Sequence, residues 1–141
     1  MREIREVIFR GKRLHDNKWI YGNFISDCEG NPHIIEPRFF CEDGHHLQYE
    51  DNTDTPVFII PETVGQFTGL TDKNGKRIFE GDIVRYEDDI GYVIYNGDDA
   101  RFLVDSPNMY ISMDYSNEFE VIGNIHDNPE LLGGENNGIN R

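Results

Sequence analysis

The residues best suited to chemistry lie between positions 28 and 46. Cys28, His33, Cys41, His45 and His46 place two thiols and three imidazoles within nineteen positions. Those are the ligand types of a tetrahedral zinc site. Their spacing, C-x4-H-x7-C-x3-H, lacks the short C-x2–4-C knuckle of structural zinc sites, so the expectation is loop histidines, thiols as small apolar fillers and no metal. Cys41 beside His45 or His46 is the one local pairing of a nucleophile with a base, but no nucleophile elbow surrounds it. Paired carboxylates occur at Glu42-Asp43, Asp88-Asp89 and Asp98-Asp99, each within a turn signal, where crowded charge needs no acid–base role. The expectation is a protein without catalytic residues and without a cofactor.

Charge divides the chain. The whole carries 13 bases against 27 acids, a net charge of −14. Residues 1–22 hold six bases and three acids, whereas residues 86–130 hold eleven acids and one base, Arg101. An acidic chain does not wrap phosphate backbone by bulk electrostatics, so nucleic acid is not an expected partner. Two nucleic-acid-linked alternatives remain defined. Arg10, Lys12, Arg13 and Lys18 interleave with Phe9, Trp19 and Tyr21, a basic and aromatic pattern that can face a single strand. Conversely, Glu87, Asp88, Asp89, Asp98, Asp99, Asp105 and Asp114 would imitate a phosphate ladder if they shared one face. The reading preferred over both is contact with a protein partner, or self-association of a molecule with two electrically different ends.

The elements that position these groups have a period near two. Phe119, Val121, Gly123 and Ile125 alternate with Glu118, Glu120 and Asn124, and Ile122 alone breaks the pattern. Short β-branched and aromatic runs recur at Val7–Phe9, Trp19–Tyr21, Ile83–Tyr86, Tyr92–Tyr95 and Phe102–Val104. Turn signals at His15–Lys18, Asp72–Gly75 and Asn96–Asp99 predict three hairpins. Asn128-Pro129 predicts a short helical turn, stopped by Gly133-Gly134. The acidic, apolar-poor stretch 42–56 reads as loop. These features predict a mainly β protein in two small lobes: residues 1–61, then 62–132 with five strands after Gly81 at small-barrel spacing, then a flexible tail, 133–141. No run approaches the roughly 20 apolar residues of a membrane span. The charged N-terminus does not read as a secretory signal, so a cytoplasmic location is expected.

Three segments carry a resemblance. The first is Phe9-Arg10-Gly11-Lys12-Arg13 followed by Trp19-Ile20-Tyr21-Gly22. The second runs from Val64-Gly65-Gln66-Phe67 through Asp72-Lys73-Asn74-Gly75-Lys76 to Ile78-Phe79-Glu80-Gly81-Asp82-Ile83-Val84. The third is Val121-Ile122-Gly123-Asn124-Ile125-His126-Asp127-Asn128-Pro129-Glu130-Leu131-Leu132. In order and spacing the chain resembles the YopX family of phage and prophage proteins, from Ile8 to Leu132. The resemblance implies a two-lobed β fold whose second lobe is similar to an SH3-like barrel. It brings no catalytic residue and no cofactor. Read physically, Glu80-Gly81-Asp82 is a turn feeding a strand, with Asp82 placed to bond nearby backbone N–H groups. Gly65, Gly69 and Gly75 do not have phosphate-loop spacing.

Overall fold

The computed structural model describes residues 6–35 and 57–133, together with the backbone of residues 39–40 and 48–49. Cys41, His45, His46, most of the acidic stretch 42–56 and the tail beyond Gly133 lie outside the described residues. The chain divides into two compact units, Met1–Gln66 and Phe67–Arg141.

In the first unit, β1 (Phe9–Lys12) and β2 (Trp19–Ser26) form the expected hairpin, with Lys12 opposite Trp19. The His15–Lys18 turn closes through Arg13 N–H donating to the Lys18 carbonyl at 2.9 Å. β2 pairs with β3 (Pro32–Ile35), which pairs with β6 (Val57–Phe58). β4 (Phe39–Phe40) and β5 (Gln48–Tyr49) form a separate two-stranded ladder. Gly65 and Gln66, the first residues of β7 (Gly65–Thr71), pair with β1. Ile20, Ile34 and Ile59 form the core here, flanked by Phe9, Val57 and Val64.

The second unit takes up the rest of β7, paired with β8 (Arg77–Phe79) across the predicted Asp72–Gly75 turn. Its main sheet contains β9 (Asp82–Tyr86), β10 (Asp89–Asn96), β11 (Arg101–Asp105), β12 (Tyr110–Ser112) and β13 (Glu120–Asn124), in the order β12-β11-β10-β9-β13, all antiparallel. Ile78, Val84, Val93, Val104, Ile111, Met113 and Phe119 make its core.

The mainly β expectation holds, but the five strands do not close into a barrel. β12 and β13 are the two edges of an open sheet and are not paired with each other. Closure requires an edge-to-edge ladder. β12 has only three residues, and the chain leaves it into a 3-10 turn, Met113–Glu118, before reaching β13 beside β9. Ile122, which broke the alternation, is the extra residue of a β-bulge: Val121 pairs with Val84 but Gly123 pairs with Ile83. The bulge reverses the facing of the strand beyond it, so Val121 and Gly123 sit on opposite faces rather than the same one. Pro129–Leu132 forms the expected short helical turn, as 3-10 helix ending at a left-handed Gly133. Asn128 is not its side-chain cap; its Oδ1 instead accepts from the Asn124 N–H at 3.2 Å.

The Asn96–Asp99 hairpin turn has an unforeseen conformation. Its left-handed residue is Ala100, at φ 56°, and not Gly97. The left-handed region costs a residue with a Cβ roughly 1–2 kcal/mol. Ala100→Gly is therefore expected to raise the unfolding free energy by about 0.5–1 kcal/mol after the entropy of the more flexible unfolded chain is offset. A denaturant midpoint at or below that of the natural chain would contradict this account of the turn.

Candidate functional site

Four carboxylates, none of them in the paired runs of the sequence, serve the turns of the fold. Asp72, only 5% exposed, sits at the β7–β8 turn. Its Oδ1 accepts from the backbone N–H of Asn74 at 2.8 Å and Lys76 at 2.9 Å, and its Oδ2 accepts from Val121 N–H at 2.9 Å. Burial pushes its pKa up, but the three N–H donors and the Lys76 charge outweigh burial and hold it below the ordinary carboxylate value. Asp82, 3% exposed, accepts from Phe79 N–H at 2.7 Å across the turn at Gly81, as the sequence led us to expect. In the first unit Asp16 is paired with Arg13, and that hydrogen bond is the leading cause of its lowered pKa. Asp27 is lowered first by the Asn31 backbone N–H, within the β2–β3 turn. A carboxylate saturated by backbone donors is a fastener and a poor proton acceptor.

Of the candidate metal ligands, the described residues include two. Cys28 is exposed in the β2–β3 turn. His33 is buried in β3, with Nδ1 3.1 Å from the Asn31 carbonyl and its ring 4.2 Å from that of Phe58. Among the described residues no group of three or more metal-ligating side chains is assembled.

The basic hairpin also differs from its sequence appearance. Arg10 is 6% exposed and lies over the Trp19 ring at 4.6 Å, with the Lys12 ammonium 5.5 Å from the same ring. Register places all three, with Tyr21, on one face. The indole face that would stack a base is thus engaged by cations of its own chain.

The acids that would have to share one face to imitate a phosphate ladder do not share one. Glu87, Asp88 and Asp89 lie at the β9–β10 turn, whereas Asp98 and Asp99 lie at the β10–β11 turn. The eight residues of β10 separate the two turns, about 23 Å at strand rise. Asp105 is at the first of these ends and Asp114 beyond the far end of β12. The single phosphate-like ladder is not formed.

The first end holds a different constellation, which the sequence pattern did not disclose. Ser106 N–H donates to the Met109 carbonyl at 3.0 Å, and Ser106 Oγ donates to the same carbonyl at 2.8 Å. This closes a tight β11–β12 hairpin whose tip shows Met109 at 52% and Tyr110 at 65% exposure. Asn108 Nδ2 donates to Asp89 Oδ1 at 3.0 Å, tying the tip to the start of β10. Tyr110 stands opposite Asp105, and Asp105 opposite Tyr92. Burial, then the neighbouring Asp105 and Tyr110, hold the Tyr92 hydroxyl above its ordinary pKa. The local signal was Ser106-Pro107-Asn108, a turn sequence that pairs residues 105 and 110. Tyr92 joins them only through the register of β10 on β11.

The family described as YopX protein matches residues 8–133. No curated protein matches the chain. Among solved structures, the crystal structure of protein EF1440 from Enterococcus faecalis is similar, with a TM-score of 0.61 and 24% identity over 92% of this chain and 99% of that one. At that identity the likeness concerns the fold alone. Among the described residues, no helix is long and apolar enough to cross a membrane.

Proposed function

The chain belongs to the YopX family, and on that premise we propose that it is a phage- or prophage-encoded protein-interaction module that works without catalysis in the bacterial cytoplasm. The observation that carries this reading is the β11–β12 hairpin, which presents Met109 and Tyr110 to solvent at 52% and 65% exposure. Aromatic and methionine side chains exposed together supply the apolar anchors of protein interfaces. The carboxylates support it as well, since Asp72 and Asp82 serve backbone N–H groups.

The test compares proteins retained from bacterial lysate by the natural chain and by the paired variant Met109→Ala and Tyr110→Ala. A partner retained by the first and lost with the second is the expected result. Identical retention by both contradicts the reading. Self-association is the second form of the same reading, favoured by the bases in residues 1–22 and the acids in residues 86–130. Light scattering reports it, and a strict monomer at high concentration removes it.

A further inference from the structure

Tyr92, Asp105 and Tyr110 form one row across β10, β11 and β12. Paired residues project to the same face of a sheet, and adjacent strands are about 4.8 Å apart. Asp105 therefore lies between the two tyrosines in the row. The Ser106–Met109 backbone bond fixes the hydrogen-bonding alternation of this hairpin. Asp105 and Tyr110 then occupy a non-hydrogen-bonded pair, where facing side chains approach most closely. Asp105 forms no ion pair among the described residues. The two arginines of this sheet are engaged elsewhere: Arg85 holds Glu120 at 2.8 Å, and Arg101, at the opposite end of β11, lies 3.5 Å from Asp99.

β12 is also the end strand of its sheet. With Val104 and Ile111 at the hydrogen-bonded position, the backbone groups of Tyr110 and Ser112 face the open edge. An extended segment can add there as a further strand and present alternate side chains to the row.

We infer that the Tyr92–Asp105–Tyr110 row receives the guanidinium of an arginine borne on an extended segment of a partner protein laid along β12. The chemistry selects this occupant. The faces of both tyrosines attract a cation. The carboxylate accepts two parallel N–H bonds from a planar guanidinium, whereas an ammonium is more tightly hydrated and cannot stack. Glu87 and Asp88, exposed in the neighbouring turn, add a field of the same sign that draws a basic segment in. This inference rests on the interaction-module reading and names the partner's chemistry.

The test uses the full chain and a labelled peptide of β-favouring residues with three alternate arginines, beside the same peptide with citrulline at those positions. Citrulline keeps the shape and removes the charge. Fluorescence anisotropy is expected to show the citrulline peptide binding at least about tenfold more weakly. Asp105→Asn and Tyr110→Ala should each weaken the arginine peptide by about tenfold, and Tyr110→Phe by less than about twofold, since the ring and not the hydroxyl acts. The turn variant Glu87→Gln with Asp88→Asn removes more charge but should cost less than about threefold. Thermal melts identify any variant that fails to fold. Equal binding of the two peptides overturns the inference, as does a loss from the turn variant equal to that from Asp105→Asn. If the hairpin variant loses a lysate partner but no arginine peptide binds, the arginine assignment fails and the module reading stands. If the peptide binds as expected while lysate capture is unchanged, the module reading fails instead.

Discussion

Replacing Asp72 by alanine is expected to lower the unfolding free energy by about 4 kcal/mol, more than any surface substitution in the chain. The side chain accepts three backbone N–H groups, from Asn74, Lys76 and Val121. Hydrogen bonds to a charged group contribute roughly 1.5–3 kcal/mol each, and donors left buried without a partner add desolvation cost. The bonds within the turn are local, but the bond to Val121 joins positions 49 residues apart and fastens the β7–β8 turn to β13. Lys73 N–H adds a bond to the Phe119 carbonyl at 2.9 Å in the same seam. Asp72→Asn keeps one acceptor and turns an amide toward another donor, so about half the loss is expected. The pH dependence has a definite sign. The folded pKa of Asp72 lies below its ordinary value of 3.8. Its contribution is therefore fully present above the unfolded pKa, near ~3.9, and is lost as pH falls through the lower folded value. The natural chain should lose stability more steeply than Asp72→Asn on acidification below about pH 5. Parallel stability curves for the two would show that Asp72 is not the fastener described.

Gly91→Ala is expected to cost about 3 kcal/mol, at the upper end of overpacking penalties. A Cβ at this position would lie 2.5 Å from the Asp105 carbonyl oxygen and 2.8 Å from Val104 Cγ1. The carbonyl is backbone, so no rotamer change relieves the clash; β10 and β11 must move apart. Gly91 pairs with Val84 in the centre of the sheet, and Val84 and Val104 are fully buried. Movement there also displaces Asp105, so arginine-peptide affinity should fall with stability. Gly97→Ala is the control, because nothing lies within 4 Å of the added methyl. It should stay within about 0.5 kcal/mol of the natural chain. Similar losses at the two positions in urea melts would contradict the close approach.

Local pattern carried much of the architecture. The period of two located the strands, and the turn residues located the hairpins at His15–Lys18, Asp72–Gly75 and Asn96–Asp99. Even the misfit at Ile122 was informative, because a bulge is what an extra residue in an alternating strand becomes. Features that depend on distant partners were not legible. Barrel closure is a property of β12 and β13 together, and neither segment alone reveals whether they meet. Asp72 was recognised as a turn residue, but its bond to Val121 requires the packed unit. Arg10 reads as part of a basic face open to a single strand and is instead buried against Trp19. The Tyr92–Asp105–Tyr110 row exists only once two strand registers are fixed.

That the exposed β11–β12 hairpin is where this chain meets a partner can be tested in one step by photo-cross-linking in bacterial cells. A photo-reactive phenylalanine analogue at position 110 should yield a discrete protein adduct that Asp105→Asn strongly reduces. A chain that gives no adduct from position 110, but a discrete one from position 21 on the basic hairpin, would place the contact elsewhere and contradict the account.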